Sequence, residues 1–373
     1  MRVLIFVCGE GLGHTTRCIP LGAKLAEAGH EVSYAAYGYS RKLIEDSVGS
    51  AYGIPQEVLL TGERGALNLP ASIIKTLLNP AILSFPKVWG VISKVRPDIV
   101  VTDMYYLGFL AGKVRGIPTI MITNQSMMRS FFERHNILVR FIGRISEAFY
   151  VRIFEAADKI IIPDYPPPDT ICQKNMRITP KMKEKTVYSG PLIREHSAQA
   201  VKRSSKGPSV LVMLGGFGYR KDVFMKLVAT AGLDESISYT FVLGPSISRE
   251  GLKGRDNITV CDFIKDPLPY IRSSDLVVTS GGHNTIMEAL SVGIPILSFP
   301  DIHHFEQENN AKALQVQGLG LVGDYQDSPE DILAKIGSIL TDPAFMENTS
   351  RLSASPHSRG GPDRLVETIS SMK

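Results

Sequence analysis

The chain has only four cysteines in 373 residues: Cys8, Cys18, Cys172 and Cys261. None pairs as CxxC, and their scatter offers neither zinc-ligand spacing nor a redox couple. Reduced thiols in a cytoplasmic protein are the reading this supports. Net charge is scarce too: 41 Lys and Arg against 37 Asp and Glu leave +4. A polyanion binder needs a strong basic stripe, and its absence excludes nucleic acid as the expected partner. No stretch approaches the ~20 apolar residues of a membrane span. The opening run MRVLIFVCGEG is too short for a signal h-region and meets a glycine-rich turn at once, so it reads as a strand. Short-period repeats are absent.

What is present is ordinary globular composition, 44% hydrophobic and 21% charged, in a chain long enough for two cores. Strands are expected at residues 2–8, 31–36, 98–102, 119–123 and 160–163, with a helix over 15–28 that Gly29 suits as a cap. The polar stretch SAQAVKRSSKGP at 197–208 breaks the pattern and reads as a linker. Beyond it the alternation restarts, with strands at 209–214, 239–243, 258–260, 276–279 and 296–299. Helices fit 219–230, 285–292, 306–317 and 329–340. Strand and helix in alternation predict an α/β fold of doubly wound parallel sheets, here two. The expected domains are residues 1–196 and 209–373, with a final helix packing back on the first.

Three places carry chemistry. Gly9-Glu10-Gly11-Leu12-Gly13-His14 lies at the first strand-to-helix turn, where glycines admit a ligand to the backbone and a helix N-terminus attracts anions. A dinucleotide fold is disfavoured: the spacing is GxGxG, and Tyr37 and Gly38 follow the second strand where an acid should hold a ribose. His14 admits two readings, a polar helix cap or a general base kept neutral by the helix N-terminus. Asp103, at the C-terminal end of a strand, is either a turn residue or the acid that fixes the histidine tautomer. The most informative run is Thr279-Ser280-Gly281-Gly282-His283-Asn284-Thr285 with Glu288, then Glu306-Gln307 and Asn310-Ala311. Free N–H groups after the two glycines suit a diphosphate, and Glu288 suits both hydroxyls of a ribose. Glu306 and Gln307 suit sugar hydroxyls. No DxD-like acidic pair stands out, so metal-independent chemistry without a cofactor is expected.

At these residues the chain resembles the GT-B glycosyltransferases that use UDP-sugars, above all the lipid-linked N-acetylglucosaminyltransferase of peptidoglycan synthesis and the broader UDP-glycosyltransferase superfamily. The resemblance spans almost the whole chain and is sharp at the motifs. It implies two Rossmann-like domains facing across a cleft. It makes His14 and Asp103 the catalytic dyad. Donor binding falls to Gly13, Gly215, Gly216, Phe263, Ile264, Ser280, Gly281, Gly282, His283, Asn284, Thr285, Glu288, Glu306 and Gln307, with the backbone near Ile264 reading the uracil edge. Asn124 and Gln125 match the loop near the acceptor. Two positions depart from the pattern: Arg17 replaces the proline after the histidine, and Ser280 replaces a common phosphate-binding histidine.

The implied activity is inverting transfer from a UDP-sugar to an acceptor hydroxyl. A UDP-sugar 2-epimerase and a non-catalytic nucleotide-sugar-binding subunit are the alternatives. Residues 126–154 are apolar on one side and carry Arg129, Arg134, Arg140, Arg144 and Arg152. They read as a pair of core-facing helices or as a face, including Phe131, Phe132, Ile142 and Ile145, that rests on anionic membrane and receives a lipid-linked acceptor.

Overall fold

The computed structural model describes residues 1–9, 11–59, 61–63, 66–79, 83–127, 129–133, 135–194, 207–215, 220–244 and 255–372. The chain divides into two compact units, Met1–Thr61 with Asn68–Ile193 and Gly360–Lys373, and Gly62–Leu67 with Arg194–Arg359. Most of the expected linker, 197–206, lies outside the described residues.

The elements run β1 (Arg2–Val7), α1 (Leu12–Glu27), β2 (Glu31–Ala36), α2 (Gly38–Val48), β3 (Tyr52–Gly53), β4 (Gly62–Glu63), β5 (Ala66–Leu67), α3 (Leu69–Leu78), α4 (Phe85–Val95), β6 (Ile99–Asp103), α5 (Tyr106–Val114), β7 (Thr119–Ile122), α6 (Ile137–Ala156), β8 (Lys159–Ile162), α7 (Pro180–Lys183) and β9 (Thr186–Tyr188). They continue with β10 (Ser209–Met213), α8 (Lys221–Ala231), β11 (Ser238–Val242), β12 (Ile258–Cys261), α9 (Leu268–Arg272), β13 (Leu276–Thr279), α10 (His283–Ser291), β14 (Ile296–Ser298), α11 (Phe305–Val316), β15 (Gly320–Val322), α12 (Pro329–Thr341), α13 (Pro343–Ser353) and α14 (Gly361–Ser370).

The first unit holds a sheet in the order β3-β2-β1-β6-β7-β8-β9, and the second one in the order β12-β11-β10-β13-β14-β15. Both are parallel throughout. Strands covered on both faces must be apolar through their centres, which is why β1, β6, β10 and β13 carry the hydrophobic runs Val3–Val7, Ile99–Val101, Val210–Met213 and Leu276–Val278, with polar residues only at their ends. In each sheet the chain winds outward from a central strand and then returns to its other side. The reversal falls between β1 and β6 in one unit and between β10 and β13 in the other. Ligands of open α/β sheets bind outside the strand C-termini at this reversal. Register sets Val7 beside Asp103 and Met213 beside Thr279, so the two candidate loops leave their sheets at those points.

The last helix belongs to the first unit's core, where Leu365 and Ile369 pack with Leu21, Leu25 and Val3. Four expected helix starts move, that of α11 by one residue, from 306 to Phe305. α1 begins at Leu12 instead of residue 15, because Gly11, with φ of 95°, turns the chain directly into the helix. α10 begins at His283 instead of residue 285, since the extended Gly282 serves as its N-cap. α8 begins at Lys221, and Tyr219 lies outside the described residues. The stretch 126–154 forms a single-turn 3₁₀ helix, Arg129–Phe131, and one long helix, α6, instead of a helix pair. The Asn136 side chain caps α6 by accepting from the Val139 N–H at 3.0 Å. Phe132 is core, lodged against Gly143, and Phe131 and Ile142 are half-buried. The solvent stripe of α6 is Ile137, Leu138, Phe141, Ile145 and Phe149. Among the described residues, no helix is long and apolar enough to cross a membrane. All four cysteines are free thiols.

Candidate active site

In the first unit, the turn after β1 delivers His14 into the first turn of α1, and β6 ends on Asp103. The next residue, Met104, takes a left-handed φ of 55° and turns the chain sharply towards α5. Asp103 is fully buried, and His14 Nδ1 lies 2.7 Å from its Oδ1. Arg17, one turn beyond His14, is 3% exposed. Its Nε donates to Asp103 Oδ2 at 2.6 Å and its Nη2 to Oδ1 at 2.5 Å, a bidentate fork. Its Nη1 donates to Asn124 Oδ1 at 3.1 Å. The Cys18 thiol donates to Oδ2 at 3.3 Å. Burial works against charge on Asp103, but Arg17 and His14 outweigh it and hold this carboxyl well below the usual range. Asp103 is therefore a fixed anion.

A carboxylate can only accept, so the short Asp103 contact favours the tautomer with the proton on Nδ1 and the lone pair on Nε2. That is the tautomer a base requires. Asn124, expected on the acceptor side, is 6% exposed and ties the β7 loop to Arg17. Gln125 donates its backbone N–H to Thr123 Oγ1 at 3.0 Å. Gly13 sits inside α1, its carbonyl accepting from Thr16 Oγ1 at 3.2 Å, and Glu10 lies outside the described residues.

In the second unit the loop Ser280–Gly282 runs from β13 into α10. Gly281 has φ of 80°, and a Cβ there would stand 3.0 Å from Ser298 Oγ and 3.1 Å from the Gln307 carbonyl, so a larger residue would be strained and crowded. The Asn310 side chain on α11 donates to the Gly281 carbonyl at 3.1 Å and to Glu306 Oε1 at 3.2 Å. α11 thus braces the glycine loop. Asn284 Nδ2 donates to Glu288 Oε1 at 3.2 Å, one helical turn along. Burial and Asp266 push the Glu288 carboxyl up to about 8, against the pull of Arg194 and the Asn284 hydrogen bond. His283 is buried, and Asn284 and Thr285 are half-buried. Phe263 is 39% exposed and Ile264 half-buried, just past β12. Gly215, two residues past β10, has φ of 79°, and Gly216 lies outside the described residues.

Gln307 is 6% exposed, with its Oε1 accepting the Asp301 N–H at 2.9 Å. Asp301 is fully buried and takes a bidentate pair from Arg220, at 2.7 Å through Nε and 2.5 Å through Nη2. Arg220 also donates to the Leu214 carbonyl, and the Tyr325 hydroxyl donates to Asp301 Oδ1 at 3.2 Å. Sequence reading passed over Arg220 and Asp301 and registered Arg17 only as a departure. The available signal at Arg17 was an arginine set against the apolar run Cys18-Ile19-Pro20-Leu21, which implies burial beside an acid.

Two doubly wound parallel sheets with glycine turns at both reversal points are the GT-B architecture. The chain belongs to glycosyl transferase family 1, whose profile matches residues 1–339. It is 46% identical over 370 residues to an uncharacterised glycosyltransferase of Methanosarcina acetivorans, covering 99% of this chain and 98% of that one. It is 24% identical to the UDP-N-acetylglucosamine–N-acetylmuramyl-(pentapeptide) pyrophosphoryl-undecaprenol N-acetylglucosamine transferase of Desulforamulus reducens, covering 99% and 97%. Among solved structures, the kitacinnamycin glycotransferase matches with a TM-score of 0.74 at 18% identity, covering 99% of this chain and 98% of that one. The protein is a glycosyltransferase, and neither the epimerase nor the non-catalytic reading is favoured.

Proposed function

We propose that the enzyme transfers a sugar from a UDP-sugar to an acceptor hydroxyl with inversion. The observation that carries this reading is the 2.7 Å contact between His14 Nδ1 and the buried Asp103 at the first unit's reversal point. The acceptor oxygen gives its proton to Nε2 of His14 and attacks the anomeric carbon. The bond from that carbon to the phosphate oxygen breaks, and UDP leaves with the electron pair. Glycine-loop N–H groups and the α10 N-terminus stabilise the departing charge. Glu288 holds the ribose, and the 24%-identical bacterial relative is named for a UDP-sugar donor. Catalysis is metal-independent: EDTA should leave turnover intact, and loss restored by magnesium or manganese overturns this.

The acceptor is lipid-linked, and α6 is the membrane-facing element. Ile137, Phe141, Ile145 and Phe149 recur every four residues along one exposed stripe, with Arg140 and Arg144 beside it. Incubation with a panel of UDP- and dTDP-sugars and lipid-linked or soluble acceptors, read by mass spectrometry and product anomeric NMR, tests the reading. A retained anomeric configuration, or transfer from dTDP-sugars alone, overturns it.

A further inference from the structure

Arg17 stands where the resembling family has proline, and its place beside the dyad gives it a role. It is too deeply buried to reach a substrate, so whatever it does passes through His14 and Asp103. Its Nη2 lies 3.0 Å from His14 Nδ1 while also bonding Asp103 Oδ1. Guanidinium nitrogens only donate and a carboxylate only accepts, so these two contacts demand opposite tautomers of the ring. The charged acceptor at 2.7 Å is the stronger partner and keeps the proton on Nδ1. The guanidinium then faces an N–H.

We propose that Arg17 is a positioning residue for His14, cancelling the charge of Asp103 so that the carboxylate orients the imidazole without drawing it into the imidazolium form. The proposal rests on the reading of His14 as the base. A carboxylate alone at this distance favours the protonated ring, which cannot accept a proton from the acceptor. With Arg17 in place, the pair around Nδ1 is neutral overall. Among the described residues, the charged groups set against His14 are Asp103 from β6 and Arg17 from its own helix. Cys18 lies behind Asp103, and burial and that anion keep its thiol uncharged. Arg17 also reaches Asn124, so the ring, the anion and the β7 loop share one arginine.

The test is an NMR titration of His14 in the full-length, histidine-labelled protein, assigned by loss of the signal in His14→Gln. It needs neither donor nor acceptor. Arg17→Met should raise the His14 midpoint by ~1 unit or more, and Asp103→Asn should lower it. The double variant, which leaves no unpaired buried charge, should return to within about half a unit of the wild type. The wild-type ring should carry its proton on Nδ1. An unmoved midpoint in Arg17→Met overturns the proposal, as does a wild-type proton on Nε2. If the single variants do not fold, the double variant decides: a midpoint displaced by more than about one unit overturns charge cancellation. Undiminished turnover in His14→Ala would overturn the base assignment without touching this titration, so the two failures are distinguishable.

Discussion

Both units bury an arginine–aspartate pair at the C-terminal edge of the sheet, and the two pairs differ in company. Arg17–Asp103 encloses a histidine, whereas Arg220–Asp301 encloses the Tyr325 hydroxyl and, through the Asp301 backbone, the Gln307 amide. Imidazole titrates near neutral pH; a phenol and an amide ordinarily do not. In the first unit the charge balance of the pair therefore bears on the base proposed above. In the second it is scaffolding: Arg220 spans from Leu214, at the end of β10, to Asp301, and Asp301 grips the first turn of α11 through Gln307. Geometry of one kind thus surrounds a titratable ring in one place and a helix start in the other.

The largest effect should separate these roles. His14→Ala should lower turnover by ~10²–10⁴-fold and leave UDP affinity unchanged. Steady-state kinetics alongside calorimetry would show it, and a loss falling mainly on UDP affinity would break the comparison. Arg220→Met should act in the opposite sense. It strands Asp301 as an unpaired buried anion and should cost about 3–5 kcal/mol of stability in denaturant unfolding. Adding Asp301→Asn should restore most of that loss. Donor KM should rise more than kcat falls, because the residues it positions belong to the loop and α11.

The unequal legibility of these pairs has a physical cause. β1, β6, β10 and β13 announce themselves because burial on both faces demands continuous apolar runs. The glycine loops are legible because a left-handed backbone such as that at Gly281 favours glycine. Arg17 and Arg220 are not legible in this way. A buried charge is allowed only by its partner, and Asp103 lies 86 residues from Arg17 and Asp301 81 from Arg220. Register between parallel strands, not local sequence, brings them together. The dyad reading of His14 and Asp103 needed a family resemblance as well as the pattern. The start of α1 was misplaced because a glycine, without a Ser, Thr or Asp cap, opens it.

The second unit's own titrating group gives a third, smaller effect. Glu288→Ala should weaken UDP binding by ~2–4 kcal/mol. With its carboxyl pushed up to about 8, Glu288 is largely protonated at neutral pH in the unliganded protein. A carboxylate accepting both ribose hydroxyls must lose that proton on binding. UDP affinity should therefore fall as pH drops below 8, by about twenty-fold between pH 8.5 and 6.5. Glu288→Gln cannot titrate, so comparing the two proteins removes the contribution of UDP's own phosphate. Parallel pH curves for wild type and Glu288→Gln would show that the ribose is held elsewhere.

The smallest effect concerns the face of the first unit that the site does not use. α6 exposes Ile137, Leu138, Phe141, Ile145 and Phe149 to solvent, while Phe132 and Phe154 belong to the core. A helix needs one apolar face for its own domain; α6 has a second. Fully burying such a side chain contributes ~1.5–3 kcal/mol, and partial insertion into a headgroup layer less. Each arginine near anionic lipid adds ~1 kcal/mol. Arg140 and Arg144 with a few inserted side chains should give reversible, salt-sensitive association. Co-sedimentation with anionic vesicles should fall at high salt and be weak with neutral ones. Phe141→Ser with Ile145→Ser should abolish it while leaving UDP affinity intact, since both residues belong to the first unit and the proposed donor contacts of Glu288 and the 280–282 loop to the second. Equal absence of the wild type from anionic and neutral pellets at low salt would remove the membrane from the reading and make a soluble acceptor the better substrate to pursue.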